Sequence, residues 1–126
     1  MILIDTHVLL WTLFNGDNVS SNAKDKMTSG DKVCVSVASL WEIAIKQSIG
    51  KLDTGHSISE LERMCNEAKI AILPIEAKHL DYINELPLIH NDPFDRLIMA
   101  QAVTEKMILI SKDEKIAKYQ VVNVVW

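Results

Sequence analysis

The sequence is poor in cysteine, and its two cysteines form no familiar ligand or disulfide motif. Cys34 and Cys65 are the only cysteines among 126 residues. One pair does not build the disulfide framework of a small secreted domain, and neither Cys-x-x-Cys nor His-x-x-x-His occurs to indicate a zinc site. We therefore predict that both are small core residues, Cys34 in a strand and Cys65 in a helix.

Long hydrophobic runs are also absent. No apolar stretch approaches the ~20 residues that a membrane span requires. The first run, from Met1 to Ile4, is too short for the hydrophobic region of a secretory signal, and an acid follows it. We expect no membrane partner, and the cytoplasm is the expected location.

The chain has no surplus of positive charge. It carries 13 Lys and Arg against 17 Asp and Glu, a formal net charge of -4. A field of this sign repels nucleic acid, which argues against a simple nucleic-acid-binding module. It argues less against an enzyme whose acids are concentrated at a metal site, because the metal offsets their charge locally.

No linker, low-complexity segment or internal repeat divides the chain, so residues 1–126 are expected to form a single domain. Short apolar segments alternate with helical ones, which predicts an α/β fold with a parallel sheet covered on both faces. Strands are predicted at 2–4, 33–37, 70–73, 107–110 and 121–125. Helices are predicted at 8–14, 20–29, 38–49, 57–68, 75–86, 93–105 and 113–119.

Spacing within these helices predicts which residues share a face and where a helix begins. In helix 75–86 the predicted face is Ala77, Leu80 and Ile83. Ser57 and Glu60 have the spacing of a capping box. The third helix has apolar or small residues at helical spacing: Val37, Leu40, Trp41, Ala44 and Ser48.

Four acids stand beside apolar strands or near helix starts: Asp5, Glu42, Asp95 and Asp113. Asp5 follows the first strand directly, and Asp113 lies shortly past the fourth. Ligands of open parallel sheets bind beyond the carboxyl ends of the strands, so these two acids are expected on one rim. Asp95 is the third helical residue if Asp92 is the cap. Glu42, nearly two turns into its helix, reaches the rim only if that helix packs across the strand ends.

Carboxylates brought together at about 4 Å repel one another strongly. At an effective dielectric constant of ~20, one such pair costs on the order of 4 kcal/mol, and three pairs cost roughly 12 kcal/mol. That is comparable to the whole stability of a small domain. Such a cluster must bind cations or take up protons, and hard divalent ions such as Mg²⁺ or Mn²⁺ prefer carboxylate and water oxygens.

Each acid also has a purely structural interpretation. Asp5 and Asp113 can cap the helices that follow them, and Glu42 can be a solvated helix residue. Asp95 can complete a capping box with Asp92, and a cap is the favoured role of Asp92 itself. Their joint occurrence near strand ends favours a shared site.

The segments around these acids resemble one known family. They are Leu3-Ile-Asp-Thr-His-Val-Leu-Leu-Trp, Ser39-Leu-Trp-Glu-Ile-Ala-Ile-Lys, Gly50-Lys-Leu, His90-x-Asp92-Pro-Phe-Asp-Arg-Leu-Ile-Met-Ala-Gln-Ala and Ser111-Lys-Asp. In this order, and over essentially the whole chain, they resemble the PIN-domain family. The likeness is strongest to the VapC-type ribonuclease toxins of type II toxin–antitoxin modules.

The resemblance implies a three-layer α/β/α PIN-like domain with a parallel sheet of about five strands. It implies a divalent-metal-dependent endoribonuclease that uses Mg²⁺ or Mn²⁺ to activate water and hydrolyse RNA phosphodiester bonds. By this likeness Asp5, Glu42, Asp95 and Asp113 are the catalytic acids, and Asp5 and Asp95 touch the metal. The implied partners are a cognate antitoxin protein, an RNA substrate and a second copy of the chain in a homodimer.

Other polar residues near the acids have weaker signals. Thr6 and Ser111 can orient a neighbouring acid, although an ordinary strand-end role is preferred for both. The histidines are scattered, and no catalytic pairing is predicted for them: His7, His56, His79 and His90. Four basic residues flank the acidic segments and can contact RNA phosphates, with solvated or ion-paired roles equally open: Lys46, Lys51, Arg96 and Lys112.

Two other functions remain open at this point. One is a non-catalytic protein- or RNA-binding module in which the acids are caps and an exposed Trp11 or Trp41 makes contacts. The other is a phosphate-accepting receiver-like domain, which is disfavoured because no acid precedes Asp5.

Overall fold

A five-stranded parallel sheet forms the centre of the computed structural model, which describes residues 1–126. Its strands are β1 (Ile2–Ile4), β2 (Val33–Ser36), β3 (Ile70–Leu73), β4 (Ile108–Ile110) and β5 (Val124–Val125). The strand order is β3-β2-β1-β4-β5, and every pairing is parallel. The α/β fold and the parallel sheet predicted from the sequence are confirmed.

Seven α-helices connect and cover the strands. They are α1 (Thr6–Phe14), α2 (Ser21–Met27), α3 (Val37–Ser48), α4 (Ile58–Glu67), α5 (Ala77–Ile83), α6 (Pro93–Thr104) and α7 (Glu114–Ala117), with a short 3-10 turn at Gly16–Asn18. Successive residues of β1 point to opposite faces, so Ile2 and Ile4 join one core cluster and Leu3 joins the other. The first cluster includes residues of α1 to α4, and the second includes residues of α6 and α7. The sheet is therefore the middle of three layers.

The cysteines and two helix starts agree with the sequence. Cys34 lies in β2 and Cys65 in α4, and both are buried. The Ser57 hydroxyl accepts the Glu60 amide, and the Glu60 carboxylate accepts the Ser57 amide, so the predicted capping box is present. No helix of the structure combines the length and the apolar character that crossing a membrane would demand.

Helix α3 departs from its prediction in its start and in its buried face. It begins at Val37, which had been placed in the strand, because the Ser36 hydroxyl accepts the Ala38 amide as a cap. Val37 and Trp41, expected on the apolar face, are 36% and 57% exposed. The helix instead buries the side that carries Glu42, which is only 7% exposed.

The predicted helix 75–86 is shorter than expected and turns a different face inwards. It comprises Ala77–Ile83, and Leu80 is 50% exposed, whereas His79 is fully buried. The imidazole of His79 accepts the Glu76 amide through Nδ1 and pairs with Glu105 through Nε2. These contacts satisfy its polar atoms, so α5 turns His79 towards the core and leaves the neighbouring Leu80 exposed. The last helix and the last strand are also shorter than predicted.

Candidate metal centre

The parallel pairing of β1 with β4 brings two of the predicted acids to one edge of the sheet. Ile4 is paired with Ile110, and the Asp5 amide donates to the Ile110 carbonyl at 3.2 Å. Asp5 and Ser111 therefore leave the sheet side by side, and Asp113 follows two residues later. Each of the two acids also caps the next helix, since one oxygen of Asp5 accepts the Val8 amide and one of Asp113 accepts the Lys115 amide.

Asp95 reaches this edge from the first turn of α6. Asp92 is the N-cap of that helix and accepts the Asp95 amide at 2.9 Å, with Pro93 as the first helical residue. This cap turns the start of the helix so that Asp95 lies in the first turn, where the helix dipole favours a negative charge. The capping role predicted for Asp92 is confirmed.

Glu42 is held in place by two neighbours. The Thr6 hydroxyl donates to Glu42 Oε1 at 2.6 Å, and Lys46 lies 2.9 Å from Oε2. The Ser39 hydroxyl is 2.9 Å from that of Thr6. Since a hydroxyl has one hydrogen, Thr6 receives from Ser39 and donates to Glu42. The preference for an ordinary strand-end role at Thr6 was wrong, because this residue orients the acid.

These side chains line one pocket of about 170 Å³ that has no hydrophobic residue in its wall. All four predicted acids are present, so α3 does pack across the strand ends as the placement of Glu42 required. The lining residues are Asp5, Thr6, His7, Glu42, Lys46, His90, Asp92, Asp95, Asp113 and Lys115.

Burial and like charge make ionisation costly at two of the acids. The pKa of Asp5 is raised, mainly by desolvation and also by Asp113, although hydrogen bonds from Ser111 and Val8 oppose the rise. The pKa of Asp95 is raised to about 6, mainly by desolvation; the hydrogen bond from His90 opposes the rise, and the charges of Asp92 and Asp113 add to it. A bound cation would remove this penalty.

The donor set suits a hard divalent cation. Neither lysine nor arginine forms an ion pair with Asp5, Asp95 or Asp113. The cap bonds use Oδ1 of Asp5 and of Asp113, and His90 faces Oδ2 of Asp95. The second oxygen of each carboxylate has no amide or basic partner. Three such oxygens around a polar pocket are what Mg²⁺ or Mn²⁺ requires, together with water.

His90 contacts Asp95, and sequence reasoning missed this pairing. Its Nε2 lies 3.1 Å from Asp95 Oδ2, and its Nδ1 lies 2.6 Å from the Tyr119 hydroxyl. That hydroxyl accepts the His90 amide and an Arg96 N–H, both at 3.1 Å. The hydroxyl hydrogen has two possible acceptors, His90 Nδ1 at 2.6 Å and the His90 carbonyl at 3.2 Å. Nδ1 is the nearer one, and a hydroxyl that donates to it places the ring proton on Nε2, which faces Asp95. We call the three residues Arg96, Tyr119 and His90 the relay.

The remaining histidines and basic residues are placed as follows. His56 pairs with Glu60 and stacks on Phe14, away from the pocket. Arg96 donates to the carbonyls of Ile83 and Pro87, so it fixes the loop before α6. Lys46 pairs with Glu42 at the pocket wall, Lys112 lies over Trp11, and Lys51 is exposed.

A second group of possible metal ligands lies elsewhere, at Glu76, His79 and Glu105, whose ligand atoms are within 4.8 Å of one another. Lys78 lies 2.7 Å from Glu105, and the His79 ring bonds to Glu105 and to the Glu76 amide. This group already has its counter-charge and its hydrogen bonds. We assign it to the packing of α5 on α6 and not to metal binding.

A comparison with family models gives one match, described as the PIN domain, over residues 2–122. The chain belongs to the PIN domain family. Among curated proteins, none matches it in sequence. The acidic pocket of this PIN domain is thus formed by residues inside the matched region.

Solved structures similar to this PIN domain include several toxin–antitoxin proteins. VapBC2 from Rickettsia felis, bound to a promoter DNA fragment, superposes with a TM-score of 0.72 at 14% identity, over 99% of this chain and 98% of the other. VapBC-1 from nontypeable Haemophilus influenzae gives 0.72 at 16%, over 99% and 97%. VapC20 from Mycobacterium tuberculosis, a toxin that cleaves the sarcin–ricin loop, gives 0.65 at 16%, over 94% of each chain. At these identities the likeness establishes the fold.

Proposed function

We propose that this PIN domain is a divalent-metal-dependent endoribonuclease and the toxin component of a type II toxin–antitoxin module. The observation that carries the proposal is the pocket in which Asp5, Glu42, Asp95 and Asp113 meet without a hydrophobic neighbour. A cluster of this charge must bind a cation or take up protons, and hard cations serve phosphate chemistry. The substrate class is RNA.

The similar structures support the toxin assignment. VapC20 is described as a toxin that cleaves an RNA loop, and the Rickettsia felis and Haemophilus influenzae proteins are VapBC complexes. Their chains and this one cover each other almost completely. The fold that holds the acids here is therefore one that toxins of this kind use.

The roles of the acids follow from their free oxygens. Asp5 and Asp95 would bind Mg²⁺ or Mn²⁺ directly, and the unpartnered oxygen of Asp113 faces the same pocket. Both oxygens of Glu42 are engaged, one by Thr6 and one by Lys46. Glu42 is therefore suited to hold and orient a water.

The chain's own residues position the reacting groups. A divalent ion bound here supplies a water of lowered pKa and offsets the charge that develops on the phosphate. Asp5 is fixed by its cap bond, and Asp95 by the relay, so neither carboxylate must reorganise. Thr6 keeps Glu42 pointed into the pocket, and Lys46 and Lys115 place positive charge at its wall.

Protein partners are part of the proposal: a cognate antitoxin and a second copy of the chain, acting in the cytoplasm. Support comes from α3, which exposes an apolar stripe on the surface side of the helix that carries Glu42. The stripe consists of residues at four-residue spacing: Val37, Trp41, Ile45 and Ile49, which are 36%, 57%, 37% and 59% exposed. Exposed apolar patches of this kind mark contact surfaces.

Cleavage by purified protein tests the function. With Mg²⁺ or Mn²⁺ we expect RNA to be cut, and we expect EDTA to abolish the reaction. Asp5→Asn and Asp95→Asn should each lower the rate by about 100-fold or more, because each removes a charge that holds the ion. Asparagine still caps a helix, so the fold of Asp5→Asn should survive.

The matched control is Asp81→Asn, the same chemical change at an exposed residue of α5, which should cleave like the wild type. Full activity in both pocket variants would sink the proposal. A folded protein that neither cleaves total RNA nor gains stability from millimolar Mn²⁺ would favour the non-catalytic binding module, for which the exposed Trp41 is the supporting observation.

A further inference from the structure

A second pocket adjoins the acidic one and shares part of its wall. It has a volume of about 510 Å³ and is lined by seven residues, of which Trp11 alone is hydrophobic. Asp5, His7, Asp113 and Lys115 line both pockets. A ligand in the second pocket is therefore continuous with one at the proposed metal site. Its size is within the range of small-molecule sites, roughly 300–1,000 Å³.

The pocket is organised around the half-buried indole of Trp11. Trp126 packs against it with ring centroids 5.7 Å apart, and His7 lies 5.9 Å away on the side of the shared wall. Trp11 also contacts the core cluster of α1 to α4. The indole is therefore fixed by its packing on Trp126 and on the core, and a base that stacks on it would share the ring with the mobile ammonium group of Lys112.

Two ammonium groups at this pocket have no counter-ion. The Nζ of Lys112 lies 5.9 Å from the centre of the Trp11 ring, and Lys115 lines the wall shared with the acidic pocket. Neither forms an ion pair, although Asp113 and Glu114 are their neighbours in sequence. Exposed and unpaired lysines beside an aromatic ring are the elements of a single-stranded nucleic-acid contact.

We propose that this second pocket is a nucleobase subsite, in which a base of single-stranded RNA next to the cleaved phosphate stacks on Trp11. Lys112 and Lys115 contact the flanking phosphates. The inference rests on the proposed function and names part of its substrate recognition. It assigns Trp11 as a substrate-binding residue, a role distinct from holding the metal.

The charge of the molecule explains why stacking is needed. A net charge of -4 gives RNA phosphates no general attraction, and the acidic pocket adds local repulsion. Stacking on an aromatic ring is independent of phosphate charge and tolerates every base. A single stacked base beside two lysines supplies affinity where the overall field does not.

Binding of a short, fluorescently labelled single-stranded RNA tests the subsite. The parent protein carries Asp95→Asn, which lies outside the second pocket and is expected to slow cleavage by about 100-fold or more. Added Trp11→Leu, which keeps an apolar side chain without a stacking face, should weaken binding by about five- to 100-fold. Trp11→Phe should restore most of the affinity. Phe14→Leu, an aromatic-to-leucine change at an exposed residue of α1 that lines neither pocket, should leave binding unchanged.

The RNA side identifies the stacked base. Each nucleotide in turn is made abasic. At one position we expect the parent to lose RNA affinity. At that same position the affinity of Trp11→Leu, which is already low, should not fall further. A 2-aminopurine at that position should lose fluorescence on binding the parent, a readout that needs no folded Trp11→Leu protein. Equal binding by Trp11→Leu and parent, an equal effect of Phe14→Leu, or unquenched 2-aminopurine at every position would overturn the subsite. Cleavage by the wild type is measured separately, so the nuclease proposal is tested independently of the subsite.

Discussion

Among single residues, Asp95 gives the metal-free protein a dependence on pH. Its folded pKa of about 6 lies above the ordinary value of 3.8, so the folded state holds a proton that the unfolded chain releases. This contribution to stability is complete below about pH 4 and is lost as the pH rises through 6. In EDTA we expect the Tm to fall by roughly 3 °C or more between pH 5 and pH 7.5.

The comparison that isolates this effect is Asp95→Asn, which has no carboxyl group to titrate. Its Tm should fall less over the same interval, because only the other groups contribute. Glu60 and Glu105, whose pKa values are lowered, are ionised throughout this interval and do not compensate. Identical slopes for the two proteins would show that the Asp95 carboxyl is not buried as described.

The relay leads to a prediction at Tyr119. Tyr119→Phe removes the hydroxyl that fixes the tautomer of His90, so Nε2 no longer presents its hydrogen to Asp95 in every molecule. Groups that orient a metal ligand typically contribute 10- to 100-fold in affinity. We expect Mn²⁺ to bind about 10-fold more weakly, as measured by titration calorimetry.

Tyr82→Phe is the control, since Tyr82 is a partly buried tyrosine outside the pocket. Unchanged Mn²⁺ affinity in Tyr119→Phe would show that the relay does not act on the metal site.

Among single residues, the four acids could be predicted from the sequence, because strand ends and helix caps are local signals. The sequence could not predict His90, because its partner Tyr119 lies 29 residues away.

Among the helices and strands, α4 has a start that is stabilised by its own capping box, Ser57 and Glu60. Ser57→Ala removes the hydroxyl that accepts the Glu60 amide and should cost about 1 kcal/mol. Chemical denaturation should show a lower midpoint with an unchanged slope. Ser59→Ala, at a helical position with no capping bond, should have the midpoint of the wild type. Equal midpoints for both variants would mean that the cap adds nothing.

At the scale of helices and strands, a feature was predicted correctly when the residues that determine it lie close together in the sequence. The capping box and the buried strands were predicted correctly, since apolar runs and short spacings specify them. The buried face of α5 was not, because His79 is buried only through its bond to Glu105, 26 residues away. The face of α3 was only partly right, since Leu40 is buried but Val37 and Trp41 are exposed. The apolar stripe of α3 is exposed at the protein surface, while the Glu42 side chain points inwards and accepts a hydrogen bond from Thr6.

For the whole molecule, the prediction is that residues 1–126 unfold as one unit. The two core clusters share the sheet, with Ile2 and Ile4 on one side and Leu3 on the other. Loss of either layer would expose β1, so neither layer is expected to persist alone. Near-UV and far-UV circular dichroism should give coincident melting curves, and two separated transitions would contradict a single domain.

The position of β1 has a further consequence, which concerns the order of synthesis. The central strand β1 is synthesised before its neighbour β4, which follows more than 100 residues later. Asp5 and Asp113 cannot meet until both have been made. A growing chain therefore carries no complete set of carboxylates until Asp113 has been added, and a fragment that ends before this residue has no complete acidic pocket. Under the proposed function, the order of synthesis therefore delays assembly of the metal site until residue 113 has been made.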